Sequence, residues 1–345
     1  MRKLAILPAV VTAAALSIVV CSCDRQSTVP FDESTAVYPR FSGENAFAHV
    51  EKQVGFGPRP SGTENLARTR EYIVSQLESF GWGVEVMEAA LPTPKGEMTF
   101  SNIRARFSPS ADKSVWDRAV DGILCSHYDS KRFEGFEFLG ANDGGSSTGV
   151  LIEFARVLAE KPALAERLEL VFFDGEEAFG TNITDTDGLY GSRVYSAELA
   201  LLPEKMRPKW GLLLDMVGDS DLKIRAGVKV QAESVRQLLG GEKEDAALAA
   251  ATQEQRDDLA RQLLAASSDL DVRSKFGISP NFITDDHVPL NNRAGIPTID
   301  IIDFDFDYWH TPGDTMDKIS AESLETVGKV TLLLIEKYLL GGEKG

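Results

Sequence analysis

Three things are scarce in this chain, and each scarcity removes a class of function. Basic clusters are absent: 36 Lys and Arg stand against 53 Asp and Glu, a formal net charge of -17. A surface this acidic does not suit nucleic acid or an anionic membrane as partner. Cysteine is rare. Of the three present, two fall at 21 and 23, which leaves Cys125 alone in the body of the chain. An internal disulfide framework and a thiolate metal site are both excluded. Histidine is rare too, with four residues, so the place of each is informative. No short internal repeat is present, which argues against a solenoid or propeller array. What remains is 345 residues of ordinary apolar content, 43%, enough to build a sizeable core.

The basic tip Met1-Arg2-Lys3 precedes an apolar run over 4–20, the pattern of an export signal and not of a fold element. It lacks an A-x-A cleavage site and ends in Val20-Cys21-Ser22-Cys23-Asp24. That ending resembles a bacterial lipoprotein signal, in which a cysteine is acylated and becomes the new N-terminus. Cys23 fits this role, because small Ser22 precedes it and polar Asp24-Arg25-Gln26 follows. The alternative is an ordinary secreted protein with two incidental cysteines. Several acyl chains on one residue give firm anchoring. The expected organisation is a signal over 1–22, a polar tether over 23–40 and one domain over 41–345. The expected location is the bacterial cell envelope, as a lipid-anchored monomer facing the periplasm or the cell surface.

Periodicity then gives the elements. Helical stripes cover 43–55, 63–80, 147–158, 189–202 and 320–340, and strand-like runs cover 83–88, 99–107, 122–126, 168–173, 211–217 and 297–302. Strands alternating with helices imply an α/β domain. Its centre is a mixed, mostly parallel twisted sheet with helices on both faces. The stretch 228–280 is rich in Ala, Gln and Glu and reads as a helical excursion with no strand of its own. It is either a wall over the site or a surface cover. Cys125, inside an apolar run, is expected to be a buried core thiol.

Five polar clusters fall at the ends of these runs: HYDS (127–130), ANDGG (141–145), FFDGEEAFG (172–180), Asp215, and DDHVP (285–289) followed by YWHT (308–311). Ligands in open α/β sheets bind outside the C-terminal strand ends. Singly, each has a dull explanation as a turn residue, a core histidine or a solvated loop. Asp215 is the hardest to dismiss, because a buried carboxylate needs a donor, a cation or a metal. On a strand His127 and Asp129 share a face, so Asp129 can fix the imidazole tautomer. Three of the four histidines lie in these clusters, and His49 does not. Oxygen and imidazole ligands without thiolate suit catalytic zinc. The neighbours Glu176 and Glu177 point different ways, so one can hold a metal while the other moves protons.

In their order along the chain, HYDS, ANDGG, FFDGEEAFG, LYGSR (189–193), LLLDMVGD (212–219), DDHVPL and YWHTP resemble the M28 zinc metallopeptidases, as does GFGPRPSGT (55–63). The resemblance covers nearly everything from Ala46 onward and implies a zinc aminopeptidase-like fold. HYDSK, LYGSR, the paired aspartates of DDHVP and Trp309 before His310 resemble the glutaminyl-peptide cyclotransferase branch. That branch holds one zinc and cyclises N-terminal glutamine to pyroglutamate with loss of ammonia. The resemblance implies zinc ligands Asp143, Glu177 and His310, Glu176 as acid/base, an Asp215–Asp285 carboxylate pair, and Trp309 lining the glutamine pocket. Its partners would be peptides and proteins with N-terminal Gln.

The chain departs from the animal cyclases in three places. Ser126 and Thr148 stand where those proteins carry a disulfide, Gly180-Thr181-Asn182 replaces a pocket Trp, and Asp300 replaces a His. The alternative reading is a two-zinc aminopeptidase, for which His127 and Asp215 complete the second ligand set. The lipid anchor is directly testable. The full chain expressed in a bacterial host is expected in the membrane fraction, and Cys23→Ala is expected to release it. A wild-type chain that is already soluble rules the anchor out.

Overall fold

The computed structural model describes residues 31–110, 112–231 and 251–341. The expected signal, Cys23 and residues 232–250 of the 228–280 stretch lie outside them. The main elements are α1 (Gly43–Val54), α2 (Glu64–Ser79), β1 (Trp82–Thr93), β2 (Gly96–Phe107), β3 (Gly122–His127), α3 (Gly145–Ala159), α4 (Pro162–Ala165) and β4 (Leu168–Phe173). They continue with α5 (Tyr190–Leu201), β5 (Trp210–Asp215), β6 (Ile224–Ala226), α6 (Gln253–Asp269), β7 (Phe276–Ile278), α7 (His287–Asn292), β8 (Thr298–Ile302) and α8 (Ala321–Leu333). Side chains cap the helix starts as the sequence suggests: Ser42, Thr63 and Ser320 accept from Asn45 N, Leu66 N and Ser323 N.

Six strands form one sheet in the order β1-β2-β4-β3-β5-β8. The β1–β2 and β2–β4 pairs are antiparallel, and β4–β3, β3–β5 and β5–β8 are parallel. The four parallel strands are buried along their whole length, as strands covered on both faces must be. Alternation sorts their side chains between two cores. Leu124, Leu170, Leu212, Leu214 and Ile301 pack with residues of α1, α2, α3, α6 and α8. Ile123, Cys125, Val171 and Leu213 pack with Tyr195 and Leu199 of α5 and Leu290 of α7. Cys125 is thus a buried core thiol, and burial pushes its pKa well up. Because the strands run the same way, His127, Phe173, Asp215 and Ile302 end at one edge.

The structure adds three features to the sequence reading. The stretch 228–280, read as helix without a strand, contains α6, but also β7, which pairs in parallel with β6. Strands of three residues are too short to show a period. The helix α7 inside DDHVPL is likewise only six residues long. Residues expected at the end of the tether pack onto the domain: Ala36, Val37 and Tyr38 are buried. The Glu336 carboxylate accepts from Val37 N at 3.0 Å and from Tyr38 N at 2.9 Å, so the folded body begins before Phe41.

The start of α5 seats the loop that follows β4. Asn102 donates to Gly191 O at 2.9 Å and accepts from Asp174 N at 3.1 Å. A Cβ on Gly191 would lie 2.3 Å from Asn102 Oδ1 and 2.6 Å from Asp174 O. Gly191→Ala is therefore expected to lower stability by about 1–3 kcal/mol, the usual cost of overpacking. A denaturant titration matching wild type would show that α5 can shift to make room.

Candidate metal centre and pocket

The strand ends bring two groups of possible ligands together, joined at Asp143. In the first, His310 Nε2 lies 3.5 Å from Asp143 Oδ2 and 3.4 Å from Glu177 Oε1. Both carboxylate oxygens are buried and have no hydrogen-bond donor. Zinc bonds to nitrogen and oxygen of ~2.0–2.2 Å in a tetrahedral site separate ligands by roughly 3.3–3.5 Å. The observed spacings fall there, and a nitrogen with two orphaned oxygens suits a divalent cation, so the residues fit. In the second group His127 Nε2 lies 3.3 Å from Asp143 Oδ1 and 3.2 Å from Asp215 Oδ1. These are the sets Asp143–Glu177–His310 and His127–Asp143–Asp215 that the family resemblance implies, and each is close enough together to hold a metal ion.

Each candidate ligand is held by residues to which the motif reading assigned no role. Asp314, fully buried, accepts from Asn142 N at 2.7 Å and Asp143 N at 3.0 Å, which fixes the ANDGG turn. Burial and the charge of Asp143 push Asp314 up to about 7. Arg59, buried in the turn-rich PRPSG loop, donates to Leu139 O, Gly140 O and Tyr128 O. Gly144 takes φ 72°, and a Cβ there would lie 2.8 Å from His127 Cε1. Lys131 Nζ, also buried, lies 3.2 Å from Glu177 Oε2 and 2.9 Å from Ala178 O. Phe133 and Phe138 meet the His310 ring edge to face at 5.6 and 5.9 Å. Among the described non-glycine residues, Leu189, Met216, His310 and Asp271 have positive φ, and the first three of these strained positions lie in or beside the strand-end motifs.

The paired glutamates part company electrostatically. Burial would raise both. The His310 imidazole and the Lys131 ammonium hold Glu177 down at about 2. His127 opposes the shift of Glu176, but burial, followed by the Glu177 charge, pushes it well above the carboxylate range. Adjacent carboxyls with opposite shifts are the usual sign of divided roles. Asp129 serves the same turn, for its two oxygens accept from Glu176 N at 3.2 Å and Glu177 N at 3.3 Å. Its distance to His127 Nδ1 is 3.5 Å, so the backbone of the glutamates is its closer partner.

Glu176, Asp215, Asp285, Trp309 and the metal group line one cavity of about 600 Å³. Trp309 stacks on His310 at 4.1 Å, meets Phe304 at 4.8 Å and is 40% exposed, so it forms a wall at the mouth. Asp285 is buried, and its nearest structural relations are with Asp300 and His287 as well as Asp215. Ser126 Oγ and Thr148 Oγ1 lie 3.4 Å apart, so two hydroxyls meet where the resemblance places a disulfide. His49 bonds Tyr72 Oη at 2.7 Å in α1, away from the site.

An α/β sheet whose strand ends carry a His/Asp/Glu metal group defines a metal-dependent enzyme of the zinc exopeptidase type. The model of peptidase family M28 matches residues 102–335. A glutaminyl-peptide cyclotransferase of Drosophila melanogaster is 31% identical over 294 residues, 83% of this chain and 78% of that protein. The structure of Porphyromonas gingivalis glutaminyl cyclase superposes with a TM-score of 0.70 at 28% identity, covering 86% of this chain and 98% of that one. A Zn-dependent exopeptidase from Parabacteroides distasonis gives 0.69 at 28% identity over the same shares. The chain belongs to peptidase family M28, in its glutaminyl-peptide cyclotransferase branch.

Removing the imidazole leaves two anionic oxygens with no nitrogen between them. His310→Ala is expected to lose bound zinc, measured by elemental analysis of the purified protein. Zinc retained at the wild-type level would take His310 out of the ligand set.

Proposed function

We propose that this chain converts the N-terminal glutamine of peptides and proteins to pyroglutamate and releases ammonia. The observation that carries the reading is the split pair at the metal group. Glu177 is ionised and turned to the ligands, and Glu176 is buried, raised and facing the same cavity as Trp309 and Asp285. Its likeness to the fly and Porphyromonas proteins supports the choice of reaction.

Cyclisation joins two groups already tethered in one residue, so positioning supplies much of the catalysis. The α-amine nitrogen attacks the γ-carboxamide carbon, a C–N bond forms, and the original C–NH₂ bond breaks. Zinc held by Asp143, Glu177 and His310 would supply Lewis-acid stabilisation of the oxyanion. Glu176 accepts a proton from the attacking amine and returns one to the departing ammonia. A raised carboxyl suits both halves of that task, because a pKa near the working pH favours accepting and donating alike. Asp285 and Asp215 offer acceptors for the substrate nitrogen at the back of the cavity. Trp309 provides a flat wall that folds the short side chain toward its own amine. One zinc serves this reaction. Substrates would be exported proteins whose new N-terminus is Gln, met in the cell envelope by a monomer anchored through Cys23.

The second group, His127–Asp143–Asp215, favours a rival reading as a two-zinc aminopeptidase. One assay separates the two. Incubated with a Gln-initiated peptide, the purified protein is expected to yield the intact peptide less ammonia. Release of a free amino acid overturns the proposal. Glu176→Gln is expected to keep its zinc and to lose turnover by roughly 10²–10⁴-fold, the range for a general acid–base group. Full activity in that variant would remove Glu176 from the mechanism.

A further inference from the structure

Behind the pocket wall lies a second polar cluster that the metal centre does not use. Asp285 and His287, at the start of α7, meet Asp300 from the middle of β8. One ligand-type atom from each lies within 4.8 Å of the others. They are 3%, 0% and 0% exposed. Asp285 Oδ2, both oxygens of Asp300 and both ring nitrogens of His287 have no donor or acceptor partner among the described residues. Two buried carboxylates this close cannot both stay ionised without a counter-charge.

Among the described residues no cation hydrogen-bonds either carboxylate. From α6, Arg256 bears on His287, but its guanidinium is committed to Val228 O, Ala251 O, Gln253 Oε1 and Asn291 Oδ1. Burial, and then that charge, push His287 down to about 3, so the ring is neutral. From β5 comes Asp215, and from the α7 start Asp286, both of the same sign as the pair. From β3 come the Cys125 thiol and His127, whose charge acts on Asp285 but gives neither carboxylate a hydrogen bond. The strand extension above Asp300 offers Gly227, whose missing Cβ leaves room 3.2 Å from Asp300 Cβ, and whose N donates to Asp300 O at 2.8 Å. A metal fits less well here than at the catalytic group. His287 Nδ1 and Asp300 Oδ2 are 4.0 Å apart, wider than the roughly 3.3–3.5 Å between zinc ligands. A proton is the remaining counter-charge.

We infer that Asp300 is a neutral carboxylic acid that donates a hydrogen bond to the Asp285 carboxylate, and so positions Asp285 at the back of the pocket. Asp285 Oδ1 accepts from Asp286 N at 2.5 Å, so a donor at Oδ2 fixes the carboxylate from both sides. The direction of the shifts agrees with one proton held between them: burial first raises both Asp300 and Asp285 well above the ordinary carboxylate value of 3.8, and the Asp286 N–H on Asp285 Oδ1 favours Asp285 as the ionised partner. The positioning role rests on the cyclase reading, whereas the protonation state does not.

Asp300→Asn tests both parts, because a carboxamide keeps a neutral donor that cannot titrate. A raised carboxyl stabilises the fold at low pH, and that contribution is lost as pH rises toward its folded pKa. The Tm advantage of Asp300→Asn over wild type is therefore expected to grow from mildly acidic to alkaline buffer. A pH-independent difference overturns the neutral acid. Pyroglutamate formation is expected to persist in Asp300→Asn, with the alkaline limb of its kcat/KM profile moved to higher pH, and to be lost in Asp300→Leu. A wild-type limb in Asp300→Asn, or lost turnover there at wild-type zinc content, overturns the positioning role. One metal equivalent fewer in Asp300→Asn would overturn the proton bridge itself. Because the Tm comparison needs no substrate, it stands even if the wild type proves to be a hydrolase.

Discussion

Everything at the strand ends follows from one constraint, which is that too many carboxylates are buried together. Asp129, Asp143, Asp174, Glu176, Glu177, Asp215, Asp285, Asp286, Asp300 and Asp314 are all buried, and each ionised group needs compensation. The fold compensates them by different means. Asp129 and Asp314 are ringed by backbone N–H groups. Asp174 takes Ser61 Oγ at 2.6 Å and Ser101 N at 2.9 Å. Glu177 takes a lysine, and Asp143 is left with an oxygen that only a cation would satisfy. The metal group is thus one part of a larger acidic network whose oxygens the described residues leave unpartnered, and the Asp285–Asp300 pair is another.

How each carboxylate is neutralised also decides what it can do. A group whose oxygens accept from backbone amides is structural, because its position is fixed. Glu176 is held by its own backbone rather than through its carboxyl, which leaves the side chain free to exchange a proton. The difference between Glu176 and Glu177 is therefore made by Lys131 and His310, which reach only one of the two.

Much of this was legible in the sequence, and the unread part has a physical pattern. The buried parallel strands announce themselves as apolar runs, and the helices as stripes with polar caps. The residues that gather at the candidate metal group were legible because they lie at the ends of those runs in short dense motifs. The supports were not. Arg59 and Asp314 act through backbone carbonyls and amides 69 to 81 and 171 to 172 residues away in the chain, and backbone groups carry no sequence signature. The partnership of Asp285 with Asp300 escaped for a related reason, since it depends on β8 passing beside the start of α7. The strands β6 and β7 and the buried residues 36–38 were missed because each is only three residues long.

The clamp of Glu336 on Val37 and Tyr38 has a bearing on how the molecule is presented. Lys161 joins it at 3.0 Å, just before the strand β4 begins, and Arg167 nearby donates to Leu340 O. The clamp therefore lies at the edge where the parallel strands start, and the pocket opens where they end. A chain tethered through its N-terminal segment would be gripped from beneath. Its open cavity would then point away from the tethering surface, toward the space where the ends of other proteins can reach it.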